Sequence, residues 1–220
     1  MYTLYASPGA CSRVPMITLE EAGAEFDVEL VRFMRAAHKQ PSYLALNPKG
    51  KVPCLITQDG PLTENPAIAL YLADQFSGLL PKAVHAIDQA KITADLVFCS
   101  ATLHPIVSRM RVPMLMADGP EAIKSVKEKA VEAMIPMAKL IDDHLGDGLW
   151  WYGDEWSIMD AYIFWVWFRI VGGNFPTKPY PNWSAHASRM NARPAVKRAL
   201  AREAEMQSTL EAEGLLPKMG

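Results

Sequence analysis

The chain has 220 residues and a formal net charge of −2, which allows one large core or two smaller ones and leaves no basic surplus to attract nucleic acid. Its Lys and Arg residues are interspersed with acids, so it carries no basic run of the kind that tracks a phosphate backbone. Its most apolar segment, Ala161 to Phe168, is bounded by Asp160 and Arg169 and is too short to cross a membrane, and Pro8, Arg13 and Glu20 interrupt the N-terminal stretch too early for a secretory signal.

Tyr2 to Ala6 is a short alternating run and predicts a strand. After Cys11, the apolar residues Val14, Ile17 and Leu19 and the ending Glu20-Glu21-Ala22-Gly23 predict a helix closed by glycine. Phe26, Val28, Leu30 and Phe33 alternate with polar residues and predict a second strand with one wet face. Pro41 to Leu46 allows a helical turn that Asn47-Pro48-Lys49-Gly50 stops. Pro53 to Thr57 predicts a third strand, Asp59-Gly60 a hairpin turn and Pro61 to Thr63 a short fourth strand. Ala67 to Gln75 predicts a helix with Asn65 as N-cap and Pro66 at its first position. The order is βαβ, then ββα.

From about Ile87 onward helical patterns take over. One helix is predicted from Asp88 past Leu103 on an apolar stripe of Ile92, Leu96, Cys99 and Leu103. A second spans Ile123 to Leu145. A third starts at Ser157, where Ser157-Ile158-Met159-Asp160 fits a capping box, and its body, Ala161 to Val171, is apolar almost all round and predicts the buried centre of a helical domain. A last pair covers Trp183 to Asn191 and Pro194 to Glu211. The expected organisation is an α+β domain at residues 1–78, a linker at 79–87 and an all-helical domain at 88–220.

The three cysteines, at 11, 54 and 99, form no C-x-x-C pair and no metal-ligand spacing, and an odd count argues against a disulfide framework. Reduced thiols, a cytoplasmic location and no metal are therefore expected. Cys11 stands out because it sits in Ser7-Pro8-Gly9-Ala10-Cys11-Ser12, between a strand and a helix start. A thiol there faces the unpaired N–H groups and positive end of the helix, which favour a thiolate over a thiol that otherwise titrates near pH ~8.5.

Two further features complement it. In Lys51-Val52-Pro53-Cys54 a proline opens a strand, and a cis bond there would leave neighbouring peptide groups free to pair with an extended ligand. In Thr63-Glu64-Asn65-Pro66 the N–H groups of a helix start can hold a carboxylate while Glu64 pairs with an ammonium. The inventory suits a short peptide with an α-amino-acid end and a sulfur.

Together with Leu-Asn-Pro-Lys-Gly-Lys-Val-Pro at 46–53, Leu-Thr-Glu-Asn-Pro-Ala-Ile at 62–68, Tyr-Leu-Ala-Asp at 71–74, Leu-His at 103–104, Gly-Asp-Glu-Trp-Ser-Ile-Met-Asp-Ala-Tyr at 153–162 and Ala-Arg-Pro-Ala-Val at 192–196, these features make the chain resemble the cytosolic glutathione S-transferases, most closely the bacterial beta class. The resemblance implies a thioredoxin-like N-terminal domain that binds glutathione as co-substrate and an all-α C-terminal domain that supplies the pocket for a small hydrophobic electrophile. It implies Cys11 and His104 as catalytic residues. It places Val52 against the cysteinyl unit, makes Pro53 the cis proline, and sets Glu64 and Asn65 at the γ-glutamyl end. Arg35, His38 or Lys39 would meet the glycine carboxylate, and Lys51 is a further glutathione-binding candidate. Ser100, Ser108 and Arg111 are candidates for the second-substrate pocket, and a homodimer is implied. Helical spacing independently puts Thr93, Val97, Ser100 and His104 on one stripe.

This sequence departs from the family pattern at Pro105, where relatives usually carry lysine, at Val97, near where they carry a polar side chain, and at Asn65, where serine is usual. The implied chemistry is attack of the glutathione thiolate on an electrophilic carbon or a disulfide. Alternatives are disulfide exchange through a Cys11 mixed disulfide, an isomerase suggested by Cys11-Ser12-Arg13-Val14, and a non-catalytic binding module. The Ser157–Asp160 cap and the tryptophans at 150, 151, 156, 165 and 167 read as structural, and His85, His144 and His186 as surface residues.

Overall fold

The computed structural model describes residues 1–216 and divides into two compact units, one of residues 1–79 together with the chain from Ala192 onward, the other Leu80–Asn191. The first holds strands β1 (Tyr2–Ala6), β2 (Phe26–Leu30), β3 (Cys54–Thr57) and β4 (Gly60–Thr63) and helices α1 (Arg13–Glu21), α2 (Pro41–Leu44) and α3 (Asn65–Gln75). The strands form one sheet in the order β2-β1-β3-β4, with β1 parallel to β2 and the other pairs antiparallel. On the central strand β1, Leu4 and Ala6 are fully buried with Met16, Ile17 and Leu19 of α1. Tyr5 alternates to the other face, where Tyr43, Val31 and Cys54 cover it. Phe33 does not extend β2; Phe33–Arg35 and Ala37–Lys39 are short 3-10 turns joined at Ala36, which adopts a left-handed conformation.

The last helix, α9 (Pro194–Ala212), belongs to this first unit and packs on α1. Its sequence pattern groups it with the helical region; its partners lie at the other end of the chain. Every residue of α1 from Arg13 to Glu20 is buried, and the charged ones are met by α9: Arg13 donates to Glu203, Glu20 accepts from Arg198 (2.6 Å) and Arg202 (2.7 Å), and Arg193 just ahead of α9 donates to Glu21.

In the second unit, α4 (Ala86–Val97), α5 (His104–Arg111), α6 (Pro120–Leu145), α7 (Ile158–Val171) and α8 (Pro181–Ala192) are the α-helices among the described residues. Ile158 to Val166 of α7 are all buried, as their unbroken apolar run predicts. The capping box forms: Asp160 accepts from Ser157 N (2.8 Å) and Ser157 Oγ (2.9 Å). The same carboxylate also accepts from Trp151 N (2.8 Å) and contacts His186 Nε2 (3.0 Å). His186 is thus fully buried, contrary to the surface position expected for it, because Asp160 gives its ring a partner inside the bundle. His144 is exposed and its Nε2 meets the Trp151 carbonyl at 2.7 Å.

The helix predicted from Asp88 past Leu103 is interrupted. Phe98–Leu103 form a π-helical segment between α4 and α5. Pro105 gives the reason: it has no N–H to donate and its ring crowds the carbonyl one turn back, so the ladder opens ahead of it. The residue that departs from the family pattern is therefore also the residue that reshapes this helix. Of Thr93, Val97, Ser100 and His104, Val97 is exposed, while Thr93, Ser100 and His104 are half-buried.

Candidate glutathione site

The turn leaving β1 closes on itself. Ser12 Oγ donates to Ser7 O (3.3 Å) and accepts from Ser7 N (3.2 Å), Ala10 N donates to Ser7 O, and Gly9 supplies the positive φ the reversal needs. Cys11 is presented at its end, buried, and its Sγ donates to the Val52 carbonyl at 3.4 Å. The expected bath of unpaired N–H groups differs in detail: Arg13 N and Val14 N, first in α1, are spent on Ala10 O and Cys11 O.

Val52-Pro53 is a cis bond. The carbonyl of Lys51 accepts from Tyr43 Oη and from Asn47 Nδ2, both at 2.6 Å. A trans peptide points its C=O and N–H in opposite directions, so the Val52 N–H of that plane is turned away from Tyr43 and Asn47. Burial pushes the Tyr43 phenol up to about 12, which keeps it a proton donor at neutral pH. These two side chains aim the backbone that an extended ligand would meet. Cys54, two residues on, packs instead with Tyr5, Tyr43 and Val31, and burial raises its thiol.

At the start of α3 the structure shifts the cap by one residue. Glu64 is the N-cap, with φ 73°, and Asn65 is the first helical residue. Asn65 does not cap because its side chain is used elsewhere: Nδ2 donates to Cys11 O at 3.1 Å, tying the Cys11 turn to α3. Its Oδ1 is buried and has no hydrogen-bond partner. The exposed Glu64 carboxylate is held by Lys49 Nζ at 2.7 Å, and the same ammonium donates to Thr63 Oγ1 at 2.8 Å.

The structure thus brings Cys11, Val52, Pro53 and Asn65 together, with Glu64 adjoining. The three basic candidates of the loop after β2 differ in their surroundings. Arg35 lies 3.5 Å from Glu213, which also holds Arg32 at 2.8 Å. His38 is half-buried with its ring edge on Phe33 (4.7 Å between centroids); its Nδ1 has no hydrogen-bond partner, and burial followed by Lys39 lowers its affinity for a proton. Lys39 and the side chain of Lys51 are exposed. Sequence reasoning did not single out Lys49, Tyr43, Asn47 or Glu213. Asn47-Pro48-Lys49-Gly50 reads only as a helix stop, and Glu213 lies far along the chain from the loop it holds.

In the helical unit, His104 begins α5 with its ring 4.6 Å from that of Trp165. Ser100 Oγ donates to Val97 O at 3.2 Å, and Ser108 is half-buried. The Arg111 guanidinium packs against Gly172 after α7, where a Cβ would stand 3.0 Å from its Nη1. Among the described residues no group of three or more His, Cys, Asp or Glu is placed to hold a metal ion, and no helix is long and apolar enough to cross a membrane.

A β2-β1-β3-β4 sheet with a cis proline at β3 and a cysteine ahead of α1, followed by a helical unit, is a thioredoxin-like domain joined to an all-helical one. Residues 1–74 match the family model described as "Glutathione S-transferase, N-terminal domain". Glutathione S-transferase GstA of Escherichia coli O157:H7 is 34% identical over 205 residues, which is 91% of this chain and 98% of that one. Among solved structures, a bacterial beta class glutathione S-transferase of Sphingomonas chungbukensis is 33% identical with a TM-score of 0.79, covering 91% of this chain and 98% of that one. A sphingomonad glutathione S-transferase complexed with glutathione is 32% identical with a TM-score of 0.80, covering 92% and 98%. The chain belongs to the glutathione S-transferase family, and its similarity extends to the bacterial beta class.

Proposed function

We propose that this chain is a glutathione transferase that binds glutathione on its first unit and promotes attack of the glutathione thiolate on a small hydrophobic electrophile or a disulfide. The observation that carries the reading is the Cys11 thiol on the Val52 carbonyl, beside a Val52 N–H turned outward by Tyr43 and Asn47 and a Glu64 carboxylate at the start of α3. A relative that matches this chain over 92% of this chain's length and 98% of its own is complexed with glutathione. Val52 would pair with the cysteinyl backbone, Glu64 with the ammonium, and one of Arg35, His38 and Lys39, with Lys51, would attract the glycine carboxylate. Catalytic residues under this reading are Cys11 and His104. Ser100, Ser108 and Arg111 would contribute to the second-substrate pocket, and the enzyme would act as a cytoplasmic homodimer in detoxification.

The Cys11 thiol also favours a second reading, disulfide exchange. Its thiolate would attack one sulfur of oxidised glutathione, forming the Cys11–glutathione bond and releasing the other half as a thiolate that takes up a proton. Intact-mass measurement of wild type and Cys11→Ala after exposure to oxidised glutathione separates the two. One glutathionyl adduct, absent from the variant, supports exchange; retention on immobilised glutathione without an adduct supports conjugation. Neither adduct nor retention would sink both.

A further inference from the structure

We infer that Lys49 binds the α-carboxylate of the γ-glutamyl end, so that this site recognises a zwitterionic α-amino-acid group through a fixed pair of opposite charges, Lys49 and Glu64. The inference rests on the glutathione reading and adds to it a residue that the sequence pattern does not single out.

Asn65 carries its amide at the first position of α3. An amide at this position would ordinarily offer its N–H to the ligand carboxylate, but here Nδ2 is drawn onto the Cys11 carbonyl, which can only accept. The atom left buried without a partner is Oδ1, an acceptor, which suits an ammonium and repels a carboxylate. A carboxylate meeting the backbone N–H groups at this helix start would gain a charged donor from the neighbouring Lys49 ammonium. Lys49 Nζ stands 2.7 Å from Glu64 Oε1 and 2.8 Å from Thr63 Oγ1, at the residue next to Asn65.

The base of Lys49 is fixed by Asn47, whose Oδ1 accepts from Lys49 N (3.1 Å) while its Nδ2 holds the Lys51 carbonyl (2.6 Å). Asn47 is itself almost fully buried. The side chain that aims Val52 toward a ligand backbone therefore also anchors Lys49. The Glu64 backbone, at φ 73°, is in a conformation rarely adopted by a residue other than glycine, at the N-cap of α3.

An ammonium arriving alone must displace Lys49 from Glu64 and leave it without a counter-charge. An α-amino-acid end brings its own replacement: its ammonium takes Glu64 as its carboxylate takes Lys49, and four charges alternate in sign.

The test compares wild type and Lys49→Gln with two ligands, glutathione and 4-aminobutanoyl-Cys-Gly, which lacks only the α-carboxylate, by calorimetry at low ionic strength. Lys49→Gln is expected to weaken glutathione about tenfold, the scale of one charge-assisted hydrogen bond, and to leave 4-aminobutanoyl-Cys-Gly unchanged or tighter. Equal weakening of both ligands would mark Lys49 as merely structural, and equal tightening as a competitor for Glu64; either overturns the inference while leaving the glutathione reading intact. Failure of wild type to bind glutathione overturns both. Because Lys49 is half-exposed on the surface, the variant is not expected to disturb folding.

Discussion

Arg13→Met removes the cation from the buried pair that docks α9 on α1. The Arg13 and Glu203 side chains are 6% and 8% exposed, and Nε and Nη2 both donate to the carboxylate. Methionine can replace most of the arginine stem, so the loss isolates the charge rather than the packing. What remains is the Glu203 carboxylate facing the interior without its guanidinium, a situation that costs about 3–5 kcal/mol. For a chain of this length that corresponds to a fall in Tm of roughly 6–20 °C. Thermal melts followed by circular dichroism read the total, and hydrogen exchange at residues 13–21 and 194–212 localises it. The double variant Arg13→Met/Glu203→Leu should regain most of the loss, because a buried ion pair contributes little net stability over apolar residues of similar size. A single-variant loss below about 1 kcal/mol, or a double variant as unstable as the single, would refute the account of α9 as held by this pair.

Asp160→Ala removes one carboxylate from Trp151 N, Ser157 N, Ser157 Oγ and His186, and should destabilise the chain by about 3–5 kcal/mol in urea titration, against about 1 kcal/mol for Ser157→Ala. The Arg32 guanidinium holds the Glu213 carboxyl below its ordinary range. A depressed carboxyl contributes stability that is present above its unfolded value, about 4.3, and is lost as pH falls through the folded one; Glu213→Gln should therefore lose stability at pH 7 and show a flatter acid limb in melts from pH 6 to about 3, with the difference reduced by salt. Burial raises both the Cys54 and Cys99 thiols. In native protein at pH ~7.5 iodoacetamide should leave both unlabelled, while denatured protein labels all three cysteines; rapid native labelling of Cys99 would contradict its position inside the helical unit.

Local structure is legible from the chain alone. Alternation, capping residues and the Gly and Pro punctuation place the strands β1 to β4 and the helices α1, α3, α6 and α7 within a few residues, and Ser157-x-x-Asp160 forms the cap its spacing implies, because each depends on neighbours a few positions away. Cys11, Val52-Pro53 and Glu64-Asn65 were legible for the same reason: each sits at a strand or helix terminus that the chain announces nearby. Which groups those residues meet depends on partners distant along the chain. Asn65 reads as a helix cap until Cys11 O, 54 positions away, claims its amide. Lys49 reads as part of a stop signal until Asn47 and the β4–α3 junction bring it onto Glu64. His186 reads as exposed until Asp160 of α7 receives its ring, and α9 reads as part of a helical domain until its acid and arginines find Arg13, Glu20 and Glu21 on α1. For Asn65, His186 and the α1–α9 pairs, a polar group that propensity would leave in water is drawn into a long-range pair, since burial demands a partner and periodicity does not say which one; Lys49 finds Glu64 at the surface, where chain proximity in space rather than burial sets the pair.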